Sequence, residues 1–576
     1  ADRPRARHTL LHPHTQRMTL RNEGVPVAQR SLTLVGVAAV AALTLSACAG
    51  GGSTSGGGGG GGAAAFDVDP ANLATITEPG SQPVDEVTWN LPYEPMSLDP
   101  MLTFNYAENT VDANLCEGLT RITPDLEIEN ALAESIDTPD DTTYVYTLRA
   151  GTTFWDGTPV TADDVVYSLG RQVGADSATY WADYFQNVAS VEKTGDNQVT
   201  VKMTQPDALF AQGMSSAAGS IVSKAAAEAA GEKFGTPQGG LMCTGPFKLD
   251  SWEPGKAINL VKNEAYWDEP LIPKVEKLSF SFIADESTAV NALRSGDVDG
   301  QFFYLPPAGL SQLEKSDATI TFGKSYIFWS LRAIQPEGTF SNPKVREALL
   351  AVIDQKAISE VVFQGASIPS PVLTGPAYYA DDEAGAMFQE AFDSFEVKPD
   401  IEKAKALLAE AGDVSEPIVL GVQGSSAVHE QTASLIQAAG QAIGLTIETK
   451  VIPVEQFGNL YFDETAREGL DGFFTTYYGN VTDPLDVYTT FMPDSSNNFI
   501  KYDGAAQELE DARKTLDPVE RAEYTIAAQE KITRDLPWLP MGDLPVILVQ
   551  NNAISGAVAS SAYLGYPWAA TIGGAE

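Results

Sequence analysis

Ile418-Val-Leu-Gly-Val422, then His429–Ile443 stopped by Gly444, then Leu445-Thr-Ile-Glu-Thr-Lys-Val-Ile452 is the stretch that decides the fold class. The first run reads as a buried strand, the second as a helix and the third as another strand. A strand, a crossover helix and a second strand make a βαβ unit, so the chain is assigned to the α/β class. Just upstream, Ile401, Ala404, Leu408 and Ala411 recur at helical spacing, with Pro399 near the start and Gly412 at the stop.

The amino-terminal half reads differently. Glu86-Val-Thr-Trp-Asn-Leu91 alternates as a first strand would, and Thr142-Thr-Tyr-Val-Tyr-Thr-Leu-Arg149 repeats the alternation. Phe154-Trp-Asp-Gly157 carries an Asp-Gly turn signal. Thr161 then caps a helix through Leu169, with Asp163 and Asp164 favourable near its positive end. Phe66–Val84 is rich in Pro, Thr and Ala without sustained periodicity, so the globular part is expected to begin near Asp85. Neither a short-period repeat nor a heptad pattern is visible.

Residues 1–47 read as a leader. After Arg17, Arg21 and Arg30 comes the apolar run Leu32–Leu45, short for a bilayer span but right for a signal-peptide core. It leads into Leu45-Ser46-Ala47-Cys48, which resembles the bacterial lipobox and marks Cys48 for lipidation. Residues 1–17 precede Met18 and read as sequence upstream of the start. Ala49–Ala65 is almost entirely Gly, Ser and Ala, a flexible tether. Residues 48–85 are thus read as the lipidated cysteine and its tether.

The 576 residues carry 36 basic and 77 acidic side chains, a net charge of −41; the part after residue 47 stands near −45. Such a surface repels nucleic acid and anionic membranes, and keeps an exported protein soluble. Of three cysteines, Cys116 and Cys243 remain after Cys48, and two thiols in an exported protein suggest one disulfide.

Catalytic constellations are missing from the pattern. Three of four histidines, His8, His12 and His14, lie in the leader, leaving His429 beside Glu430 at the start of a helix, where it reads as a solvated residue. One histidine and no CxxC argue against zinc, and neither a phosphate loop nor a strand-linked GxGxxG appears, so no cofactor is expected. Acidic pairs such as Asp163-Asp164 and Asp381-Asp382 read as solvated faces, which leaves a secreted glycosidase or peptidase without positive support.

Nine spaced segments taken in order resemble the family 5 solute-binding proteins, the peptide and nickel receptors of ABC importers. They are Glu94–Pro100, Glu117–Leu119, Thr142–Arg149 leading to Phe154–Leu169, Thr244–Phe247, Asn263–Trp267, Leu293–Asp299, Asn342–Leu349 with Ile353-Asp354, and Ala404–Gly412. Most have plain structural roles, such as Asn342 capping a helix that starts at Pro343. The resemblance covers about residues 86–550. It implies a two-lobed type II periplasmic-binding-protein-like fold with an inserted subdomain near 118–205. The first lobe takes 86–324 and 534–576, the second 325–533, and ligand lies in the cleft between them.

The resemblance also implies the contacts. Glu94 and Met96 line one side of the cleft, Tyr326 and Trp329 follow the hinge strand, and Tyr477 and Tyr478 belong to the strand that pairs with bound peptide. The family's amine-fixing aspartate stands three residues before Asp483-Pro484, where this chain has Asn480. A neutral amide supplies no charge, and charge-assisted bonds are roughly twice as strong as neutral ones. Glu94 or Asp483 is the alternative acid for that amine. The implied function is capture of a peptide, with oligosaccharide stacking on Tyr326, Trp329, Tyr477 and Tyr478 as the alternative. The implied partners are the membrane permease subunits of an ABC importer. The implied location is the extracytoplasmic face of the bacterial membrane, where the protein is held by lipid as a monomer. Nickel is disfavoured because relatives recruit histidine for it.

Overall fold

The computed structural model describes residues 66–174, 179–395 and 398–575. The leader, Cys48 and the Gly-rich tether lie outside these residues. The frame is one ten-stranded mixed sheet. Its order is 247–253, 257–262, 275–282, 84–91, 300–303, 538–551, 318–333, 472–478, 418–423 and 447–452. The βαβ unit occupies one end: Ile418–Gln423 and Ile447–Ile452 pair in parallel, joined by the helix Ala427–Ile443. Ser426 caps that helix and Gly444, at φ +96°, ends it in the left-handed conformation that glycine adopts without a Cβ clash.

Two long strands, Ala318–Ala333 and Trp538–Asn551, run antiparallel through the middle and belong to both lobes. Their pairing breaks between Gly323 and Ile327. Gly323 is required there, since a Cβ would stand 1.9 Å from the Ala559 carbonyl oxygen. The carboxy-terminal segment returns to the first lobe, where Trp568 packs against Trp89 and Phe302 at 4.5 and 5.0 Å.

A separate four-stranded antiparallel sheet, in the order 133–140, 143–148, 198–203, 188–195, lies within residues 118–205. The helix Ala162–Gly170 packs beside it, and the Thr161 and Asp164 side chains bond reciprocally to each other's backbone N–H as a capping box. Cys116 and Cys243 are bonded, with α-carbons 5.0 Å apart.

Phe66–Val84 departs from the expected tether. Phe66 sets its ring edge-on to Phe322 at 5.2 Å, Ala74 bridges Gly323, Ile76 bridges Val558 and Gln82 bridges Gly574. These are isolated pairings along a sheet edge, which leave no periodic pattern to read. His429 departs more sharply: it is 2 % exposed, not solvated.

Candidate functional site

The site is assembled where the first-lobe helix Tyr106–Asp112 faces the end of the second-lobe strand Gly472–Tyr478. Tyr478 closes that strand and reaches across. Its hydroxyl donates to the Phe104 carbonyl at 2.5 Å and accepts from Asn109 Nδ2 at 3.0 Å. Tyr106 stacks on Tyr304 at 4.5 Å and tilts against Tyr478 at 5.0 Å. Asn109, Trp181, Ser215, Tyr326, Tyr478 and Asn480 stand among the walls of a cavity between the lobes.

Charged and polar pairs join the two sides of it. Arg513 pairs with Asp207 at 2.9 Å, both side chains nearly inaccessible. Asp483 accepts from Arg521 Nε at 2.8 Å and from Gln212 Nε2 of the first lobe at 3.2 Å. Asp486 accepts from the Tyr184 hydroxyl of the first lobe and from the Asn480 N–H at 2.8 Å. Burial pushes the Asp486 carboxyl up to about 6, although those two donors pull it down. Glu108, on the helix beside the cavity, is likewise pushed up by burial to about 7.

The eight residues expected at the site separate on this geometry. Tyr326, Tyr478 and Asn480 come together on the cavity wall. Tyr477 is half-buried and packs edge-on to Trp538 at 5.1 Å. Trp329 does not line the cavity: it is fully buried, stacked on Phe474 at 5.8 Å and edge-on to His429 at 4.9 Å. Its place on the strand points it into the second-lobe core, because successive side chains alternate across a sheet. Glu94 is occupied by the Trp252 indole N–H and the Gly255 N–H at 2.8 and 2.9 Å, and Met96 is 74 % exposed. Asp483 is occupied by its ion pair and by the Leu485 N–H at 3.0 Å, so it serves the lobe contact and a helix cap.

Asn109, Trp181 and Asp486 escaped the sequence reading. Nothing in a chain of 77 acids distinguishes Asp486, and its burial against Tyr184 arises only when the lobes meet. Among the described residues, no group of three or more His, Cys, Asp or Glu could hold a metal ion, and no helix is long and apolar enough to cross a membrane.

Residues 127–499 match the family model for bacterial extracellular solute-binding proteins, family 5. This chain belongs to that family. Among relatives, it is 27 % identical over 480 residues to the glutathione-binding protein GsiB of Escherichia coli K12, covering 80 % of this chain and 89 % of the relative. It is 25 % identical over 508 residues to the dipeptide-binding protein DppE of Bacillus subtilis, covering 83 % and 90 %. The crystal structure of Haemophilus influenzae OppA in complex with RPPGFSPFR superposes with a TM-score of 0.73 at 22 % identity, covering 86 % of this chain and 99 % of that one.

Proposed function

We propose that the chain captures peptides in its interlobe cavity and hands them to the permease subunits of an ABC importer. The observation that carries this reading is the pocket between Asn109 and Trp181 of one lobe and Tyr326, Tyr478 and Asn480 of the other, in a family 5 chain. Named relatives bind glutathione and dipeptides, and a structural neighbour holds a nonapeptide. The first lobe comprises 86–324 and 534–576 and the second 325–533; the protein works as a monomer and turns over no substrate. A sugar receptor is the weaker reading, because Trp329, the largest aromatic it would stack on, is spent in the core. With Asn480 neutral and both Glu94 and Asp483 occupied, the ligand amine has no carboxylate waiting at those three positions.

Cys48 carries the lipid that keeps the receptor at the extracytoplasmic face of the membrane. Thermal unfolding of the purified protein against di- to pentapeptides and oligosaccharides tests the ligand class. Ligand at 100 times its dissociation constant stabilises the native state by about 2.7 kcal/mol. Peptides are expected to raise the midpoint; stabilisation by sugars alone would replace the peptide reading. Mass spectrometry of membrane-extracted protein should show diacylglyceryl-Cys48, and an unmodified chain retaining Leu32–Leu45 would remove the anchor from the proposal.

A further inference from the structure

A second, narrower pocket lies against the interlobe cavity and shares Ser215, Ser216, Ala217, Leu564 and Gly565 with it. Asp112, at the end of the helix that carries Asn109, lines this inner chamber and is 4 % exposed. Neither of its carboxylate oxygens has a hydrogen-bond partner in the protein. Thr103 is near enough for its hydroxyl to pull the Asp112 carboxyl down, but its single proton is directed to the Pro100 carbonyl at 3.2 Å, which leaves Asp112 without a geometrically formed hydrogen bond. A buried carboxylate left without donors costs several kcal/mol, so the position calls for a counter-charge.

The other charges on the chamber do not provide it. Arg121 gives Nε to Glu129 and Nη2 to Asp268, each at 2.7 Å; its Nη1 has no partner, and Asp112 is not one of its contacts. Glu117 takes only neutral donors, from Thr244, Tyr266 and Trp267. The wall therefore holds more acids than bases, and Asp112 is the acid left without a partner. Burial, with Asp99 and Glu108 nearby, pushes the empty Asp112 carboxyl well above the usual range, and a cation beside it would return it to the ionised state.

We infer that Asp112 is the cation anchor of the ligand site. It receives an ammonium or guanidinium group that enters the inner chamber while the rest of the ligand occupies the interlobe cavity. This deepens the peptide reading, on which it rests: the favoured peptides carry a positive group, either the free amino terminus or a lysine or arginine side chain.

Isothermal titration of the protein and its Asp112→Asn variant against three tripeptides tests this. The probes are Ala-Ala-Ala, N-acetyl-Ala-Ala-Ala and N-acetyl-Ala-Lys-Ala. At least one cationic tripeptide should lose tenfold or more in affinity on the substitution, and the neutral acetylated one should not change. Which cationic probe loses affinity separates the terminal amine from the side chain. Equal affinity of both cationic tripeptides for the two proteins would overturn the inference and leave peptide capture standing. If no tripeptide binds the unsubstituted protein, the peptide reading fails, and 1,5-diaminopentane becomes the probe. Binding by the unsubstituted protein alone would uphold the anchor; equal binding, or none, would overturn it. Ligand-free Asp112→Asn should also melt higher than the unsubstituted protein at pH 7.5. A lower midpoint would make the carboxylate a structural group and overturn the assignment.

Discussion

His429 sits with ring centroids 4.9 Å from Trp329, 5.2 Å from Phe457 and 6.2 Å from Phe474. Its Nδ1 accepts the Gln423 N–H at 3.2 Å. Burial pushes the imidazole down to about 3, so the native state holds it neutral. Between that value and the unfolded value of about 6.5, the unfolded chain binds a proton that the native chain refuses. This contribution to stability is therefore constant above about pH 6.5 and declines as pH falls, by up to about 1.4 kcal/mol per pH unit. His429→Asn retains an acceptor for Gln423 and cannot ionise. In urea unfolding, the stability of the histidine form relative to the variant should drop by about 2 kcal/mol between pH 7.5 and 5. Parallel pH profiles for the two proteins would contradict a neutral buried imidazole.

Among the elements, the bond between Cys116 and Cys243 spans 127 residues. It ties the end of the helix region that holds Asp112 to the turn before Phe247–Glu253. Closing so long a loop restricts the unfolded chain, and removing a bond of this kind costs roughly 2–5 kcal/mol. A Cys116→Ser, Cys243→Ser protein should unfold at a lower urea midpoint, and its midpoint should no longer respond to dithiothreitol; an unchanged midpoint would deny the bond a stabilising role. Elements whose signals are local could be read from the chain. Thr161, Asn342, Gly412 and Gly444 start or stop helices within a residue or so of the expected places, because caps depend on neighbours three or four positions away. Trp329 and His429 could not be placed that way. The face each occupies is set by the helix Ala427–Ile443 packing on the sheet in which strands 472–478 and 418–423 lie side by side, and helix periodicity did not single out the histidine. Tyr326, Tyr478 and Asn480 were legible only through resemblance, and Asp112 not at all, since its isolation from donors is a property of the assembled chamber.

At the scale of the whole molecule, well-buried polar contacts join the two sides of the cavity, and any opening of the lobes would have to sever them. Arg513 and Asp207 are the most deeply buried of these, at 2 % and 0 % side-chain exposure. Asp207 also accepts from Asn187 Nδ2 at 2.9 Å and the Leu209 N–H at 3.1 Å, both from its own lobe, so Arg513 alone supplies positive charge from across the cleft. Removing one partner of a buried ion pair costs about 3–5 kcal/mol, because the other charge stays desolvated. A hinged protein can relieve that cost by opening, which returns Asp207 to water. Arg513→Met keeps much of the side-chain volume and removes the charge. The ligand-free variant should therefore show a larger radius of gyration by small-angle X-ray scattering. It should also bind peptide more weakly, because the competent closed state is less populated. Combining Arg513→Met with Asp207→Leu removes both charges and should restore the compact profile. If Arg513→Met scatters as the unsubstituted protein does and binds with the same affinity, the pair does not govern closure, and the tyrosine contacts around Tyr478 would have to hold the lobes together.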